Sequence, residues 1–311
     1  MMASPRAEVQ EKIKSLQLAR TLLNAKIESL ELAGRQIDQE IASLTGSLNQ
    51  SSQVIQENPF LSDPATRDIA QFFLSKDFLI VSHNPLVKEK CAIAKRAWTC
   101  YDKINPLFKQ LARSRQKFQY RFPDDEQHMG KSTFFQLIKT IQEQGVIEVE
   151  RKKNELTIIP RKNADWSNFF DGVWVEYVGR WLIEDAVKKF NQKNPPLHYG
   201  IWSNVKLKKL DSPQTVDKEL DIVLNLRDTA KINHHIYIFE IKSGKNLDIE
   251  GWVESTRLFQ NESKNIRFIT CSTNSSLDPM SFAPFRLCLF QNLPNLMADI
   301  LSRDFPPPRE K

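Results

Sequence analysis

The sequence predicts a protein of mixed class, α+β grading into α/β, with a helical N-terminal part and a C-terminal mixed sheet covered by helices. Apolar residues recur at heptad spacing across residues 7–50. A helix followed by a short hairpin reads from residues 121–161. From Asp165 onward, helix-like and strand-like segments follow in the order α-β-β-β-α-β, which implies a sheet flanked by helices.

The 311 residues suffice for about two domains, and 41% hydrophobic residues allow a sizeable core. The formal charge of +6 is mildly basic and points toward a polyanionic partner. Cys91, Cys100, Cys271 and Cys288 form no CxxC pair, which argues against a zinc ribbon or a disulfide framework and for reduced cytosolic thiols. No apolar signal core and no long apolar run occur, so the expectation is a cytoplasmic protein with no membrane partner.

Four regions follow: a coiled coil over 1–52, a helical region over 53–120, a winged-helix-like unit over 121–163 with its preceding helices, and a catalytic-type domain over 164–311. In the first, Ile13, Leu16, Leu23, Ile27, Leu30, Ile37, Ile41, Leu44 and Leu48 keep a 3-4 alternation, interrupted only by Arg20 and Gly34. This seam serves either a homodimer through the coiled coil or a helix folded back within the chain. The polar stretch "GSLNQSSQ" (Gly46 to Gln53) ends it.

Residues 53–120 read as mostly helical. Asp63 and Pro64 signal a helix start, with Ile69, Phe72 and Phe73 on its apolar face. His83 reads as part of a turn. A helix carries Trp98 and Tyr101, and another runs from Pro106 to about residue 118. Next, Ser132 can cap a helix with Phe135, Ile138 and Ile141 on one face, closed by Gly145. A hairpin turning at Lys152-Lys153-Asn154 follows, which is the element order of a winged helix, whose helix ending at Gly145 would enter a DNA major groove. Residues 105–163 hold 12 Lys and Arg against 7 Asp and Glu, a net of +5. Lys131, Lys139, Lys152, Lys153 and, further on, Lys245 are the candidate phosphate contacts.

A long helix is expected over 165–192, with Glu176 among apolar neighbours such as Trp174, Val175 and Tyr177. Glu176 serves either a site or an ion pair with Arg180 four residues on. Two strands lie in "DKELDIVLNLRDTAKINHHIYIFEIKSGK" (Asp217 to Lys245), with His234-His235 read as a turn before the second. "LDIEGWVESTRLFQNE" reads as a helix, "NIRFITCST" and "FRLCLFQNL" as strands, and "FPPPREK" as a tail.

Charge in apolar strands needs a reason, because a desolvated unpaired ion costs several kcal/mol. Asp221 and Glu240 lie on consecutive strands, and Glu240 and Lys242, two residues apart, share a face. Paired carboxylates suit a hard cation, Mg²⁺ or Mn²⁺, and a lysine beside it can orient water or stabilise charge on a phosphate. Glu219 is a secondary candidate on the same face as Asp221.

These residues resemble the restriction-endonuclease-like PD-(D/E)xK nuclease superfamily. The resemblance covers about residues 165–290 and rests on "ELDIV" followed by "FEIKSG". It implies an αβββαβ core in which Asp221, Glu240 and the Ile241 carbonyl hold the metal, Lys242 is catalytic, and Glu176 from the first core helix assists. The proline that leads the family motif is absent, since Leu220 precedes the acid. The site is similar in look to the winged-helix-linked nuclease domain of CRISPR-associated ancillary effectors. Those proteins begin with a nucleotide-sensing domain and this chain with a coiled coil, so activation by a cyclic nucleotide is not implied. The expected function is a metal-dependent endonuclease on DNA, with RNA as the variant substrate. The alternatives are a non-catalytic DNA-binding or assembly protein on the same scaffold, and a partner-activated nuclease subunit of a defence or mobile-element system.

Overall fold

The computed structural model describes residues 5–56, 58–64, 66–121, 130–152, 155–161, 164–211, 215–229, 233–243, 254, 256–259, 266–274 and 287–306. The chain divides into two units, Met1–Pro59 and Phe60–Lys311. The first is essentially one helix, α1 (Pro5–Gln56). Its low Gly and Pro content leaves nothing to interrupt it, and the polar stretch from Gly46 does not end it. Helix α1 does not fold back on itself. Its apolar seam is exposed, with Ile27 46% and Leu30 65% accessible.

The second unit begins with α2 (Pro59–Ser62), α3 (Arg67–Leu74), β1 (Phe78–Asn84), α4 (Lys88–Trp98) and α5 (Tyr101–Arg113). Then come β2 (Phe118–Arg121), α6 (Gly130–Glu143), β3 (Ile147–Lys152) and β4 (Glu155–Pro160). Helix α7 (Ala164–Asn168) passes through a π turn (Phe169–Val173) into α8 (Trp174–Lys193). The strands β5 (His198–Lys209), β6 (Lys218–Arg227), β7 (His234–Lys242), β8 (Ile266–Ser272) and β9 (Leu287–Leu289) follow, and α9 (Leu293–Asp304) comes after a 3₁₀ turn.

The main sheet has six strands in the order β1-β5-β6-β7-β8-β9. Strands β1 to β7 pair antiparallel and β7 to β9 parallel, so the sheet is mixed as expected. Strands β2, β4 and β3 form a separate three-stranded sheet beside α6. Period-two alternation sends Ile222, Leu224, Phe239 and Ile241 to one face of the main sheet, where they join Trp174, Val178 and Ile183 of α8 and Met297 of α9. That cluster runs on through Leu107, Leu137 and Ile158, so α5, α6 and β4 share its core. On the other face Val223, Ile238 and Phe268 pack with Phe73 of α3 and with Phe259.

Several local expectations are corrected. Residues 53–120 are not all helical: "FLIV" becomes β1, antiparallel to β5, and His83 lies in that strand and not in a turn. A four-residue apolar run does not distinguish helix from strand, and pairing decides it. The helix expected to start at Asp63 starts later, at Arg67, with Thr66 before it. Pro106 lies inside α5 instead of starting a helix. On α6 the buried residues are Phe134, Leu137, Ile138 and Ile141, while Phe135 lies under the Arg151 guanidinium at 4.5 Å. The helix over 165–192 is broken by the π turn. His234 and His235 are in β7, paired with Arg227 and Leu226. The strand in "FRLCLFQNL" is short, Leu287–Leu289, and residues 294–304, to which the sequence pattern assigns no element above, belong to α9, where Leu293, Met297, Ile300 and Leu301 carry helical spacing. Most of "LDIEGWVESTRLFQNE" lies outside the described residues.

Helix α8 lies close on β6 and β7 because of Gly179. A Cβ there would stand 3.1 Å from Ile241 Cδ1 and 3.4 Å from both Ile222 Cδ1 and a Phe290 ring carbon. A branched side chain must push the helix off the sheet. Gly179→Val is expected to destabilise the protein by about 1–3 kcal/mol, read from the urea unfolding midpoint.

Candidate functional site

Asp221 and Glu240 stand at adjacent strand ends. The β6–β7 register pairs Ile222 with Phe239, and one step further lie Asp221 and Glu240. The Ile241 N–H donates to Asp221 Oδ2 at 2.6 Å, which ties the two strands where the ladder ends. Lys242 Nζ donates to Glu240 Oε1. Both carboxylates and the lysine are only partly accessible, with the Glu240 side chain 17% and the Lys242 side chain 35% exposed.

Glu176 arrives from the first turn of α8. The π turn before it packs against the end of β7: a Cβ on Gly172 would meet Ser243 Oγ at 3.1 Å. Arg180 does not pair with Glu176; its Nη1 donates to Ser203 on β5 at 3.1 Å. Glu176 Oε2 is buried with no hydrogen-bond partner among the described residues.

The electrostatics follow from crowding acids in a dry place. Burial, then the Asp221, Glu219 and Glu240 charges, push Glu176 up to about 9, against the pull of Lys242. Burial and Glu240 push Asp221 up to about 7, partly offset by the Ile241 N–H and Lys242. For Lys242, burial alone disfavours the ammonium, but Glu240, Asp221 and Glu176 outweigh it and raise its pKa. Lys242 is therefore a firmly held cation, suited to orienting a water or stabilising an anion and not to accepting a proton. Glu219 is exposed and acts on the pair only through its charge.

Among the described residues, no group of three or more His, Cys, Asp or Glu side chains is arranged to hold a metal ion. The carboxylates of Glu176, Asp221 and Glu240 feel one another's charge and that of Lys242, all are hard oxygen donors, and one Glu176 oxygen is buried and unsatisfied among the described residues.

The other sequence candidates are scattered. Lys139 is exposed on α6 and lies 3.8 Å from Glu143. Lys131 opens α6 and Lys152 closes β3, while Lys153 and Lys245 lie outside the described residues. The sequence did not single out the π turn or Gly172. The run "FFDGVW" held the signal, since a glycine amid large aromatics marks a place where backbone comes close to a neighbour.

No protein-family profile matches the sequence, and no curated protein matches it. Similar solved structures include protein VC1899 from Vibrio cholerae, at 16% identity and a TM-score of 0.46, covering 76% of this chain and 61% of that one. Another is Can2 from Sulfobacillus thermosulfidooxidans, solved with cyclic tetra-adenylate, at 12% identity and a TM-score of 0.44, covering 76% of this chain and 60% of that one. The chain thus spans about three fifths of each. Likeness at this level assigns no activity to it. No described helix is long and apolar enough to cross a membrane.

Raised carboxyl pKa values make stability depend on pH. Asp221 and Glu176 bind protons more tightly folded than unfolded, so their contribution is complete below about pH 4 and is lost as pH rises through about 7 and about 9. In EDTA the melting temperature is expected to fall across that range. Glu176→Gln removes its share of the loss and melts at least about 2 °C higher than the parent near pH 9. A parallel pH dependence in parent and variant contradicts this account of the cluster.

Proposed function

We propose that the Phe60–Lys311 unit is a metal-dependent endonuclease that hydrolyses phosphodiester bonds in DNA, as the resemblance to PD-(D/E)xK nucleases implies. The observation that carries this reading is the grouping of Asp221, Glu240 and Lys242 where the β6–β7 ladder ends, with a buried Glu176 oxygen that feels their charges left without a partner among the described residues. Asp221, Glu240 and the Ile241 carbonyl would hold Mg²⁺ or Mn²⁺, with Glu176 completing the set. Such a cation supplies positive charge toward a phosphate and makes a nearby water more acidic.

The chain's own groups do the rest. Asp221 is oriented by the Ile241 N–H. Lys242 places its ammonium where negative charge develops on phosphate oxygens, and its contact with Glu240 aims it. Gly172 and Ser243 bring the α8 N-terminus against β7, so Glu176 is set by backbone packing.

The order α5-β2-α6-β3-β4 supports reading this part as a winged helix, which would bind duplex. Its exposed Gln136 and Lys139 face outward on α6, with Lys131, Lys152, Lys153 and Lys245 as further phosphate contacts. Several cations of this region are held by acids, as in Lys117–Glu150 at 3.4 Å and Arg161–Glu148 at 2.9 Å. Affinity for duplex is therefore expected to be modest, with a correspondingly shallow salt dependence.

The deciding assay offers supercoiled plasmid, linear duplex, single-stranded DNA and RNA with Mg²⁺ or Mn²⁺ and an EDTA control. Cleavage of duplex DNA is expected, abolished by EDTA and by Asp221→Ala, and reduced about 10²–10⁴-fold by Lys242→Ala. Cutting of RNA alone would replace DNA as the substrate. Cutting that survives Asp221→Ala, or a folded protein inert on every substrate, contradicts the proposal.

A further inference from the structure

Helix α1 carries an apolar seam that the folded chain leaves open. On heptad positions counted from Ile13, the first position holds Ile13, Ile27 and Ile41, apart from Arg20 and Gly34, and the fourth holds Leu16, Leu23, Leu30 and Ile37. The exposure of these apolar residues lies between 46% and 65%. Apolar side chains this accessible over such a length make a surface of a kind that single soluble chains rarely present. We propose that α1 pairs with α1 of a second copy of this chain as a parallel, two-stranded coiled coil.

The strand number follows from side-chain shape. Isoleucine at the first position with leucine at three of the four fourth positions, Ile37 being the exception, favours two strands. Leu18, Leu22 and Leu32 lie off the seam and remain exposed in such a pair. The orientation follows from charge. In a parallel pair, position 26 on one helix flanks position 31 on the other, so Lys26 meets Glu31 of the second copy twice by symmetry. Lys26 has Leu22, Leu23, Ser29 and Leu30 at the helical neighbour positions, none of them acidic. The other flanking pairs of the parallel arrangement set no like charges together. The antiparallel alignments of greatest overlap leave both residues without an opposite charge, or bring two Lys26 or two Glu31 side chains together.

Arg20 and Gly34 fit the same arrangement. Arg20 replaces an apolar residue at one first position and can lay its stem along the seam with its head in water. A polar residue there fixes register at a cost in stability. Gly34 has open space around its Cβ direction.

This pairing is independent of the phosphodiesterase reading. It is tested on the full chain by sedimentation equilibrium, with circular dichroism and thermal melting of each variant as a folding control. A dimer is expected, and Leu23→Asp with Leu30→Asp is expected to give a folded monomer. Lys26→Glu should weaken the dimer about fivefold or more, and adding Glu31→Lys should restore it. Orientation is read from oxidative cross-linking above the parent's background. Leu16→Cys should link to itself, whereas mixed Leu16→Cys and Ile41→Cys chains should form no link between the two variants. A monomeric parent, a trimer or larger species, or a link between positions 16 and 41 overturns the proposal.

Discussion

The close seating of helix α8 on the sheet governs the geometry of the larger unit. At Gly179 the helix surface comes within contact distance of Ile222 and Ile241, the residues that alternate with Asp221 and Glu240 along β6 and β7. One glycine thus couples the helix that carries Glu176 to the strands that carry the other acids. Trp174, Val178 and Ile183 fill the space on either side, and α4 and α9 pack on the outside of α8. The position of the acids relative to one another is a consequence of core packing, which is far stiffer than any surface loop.

Electrostatics adds a second constraint. Three acids close to one ammonium in a partly dry environment form an over-negative cluster, and burial makes the Glu176 and Asp221 protons harder to remove. The protein spends stability on this arrangement at alkaline pH. Apolar residues at these positions would pack without that cost.

Much of this was legible in the sequence, for physical reasons that differ by element. The heptad seam, the β3–β4 hairpin and the pair β6 and β7 are local patterns, and periodicity reports them directly. Glu240 and Lys242 share a face by simple alternation. Strand β1 was not legible, because "FLIV" becomes a strand only by pairing with β5 far along the chain. The π turn was hidden because Trp166, Phe169 and Phe170 keep a helical rhythm through it. Helix α9 was missed although its leucines and Ile300 carry helical spacing and the proline in its first turn is compatible with a helix. The convergence of Glu176 with the strand acids depends on the approach of α8, which no local pattern encodes.

The β1–β5 pairing also shapes how the chain is made. Strand β1 leaves the ribosome on the order of a hundred residues before β5, the one strand it pairs with among the described residues. At about 5–20 residues per second this amounts to roughly five to twenty seconds of synthesis. Throughout that interval Phe78, Leu79 and Ile80, all buried in the finished sheet, await the β5 backbone. The nascent chain therefore carries a sticky β-prone segment through the synthesis of α4, α5, α6 and the hairpin. Asp77 before this segment and Pro85 after it flank it as a charge and a strand breaker, the residue types that hold such a segment back from pairing with another chain.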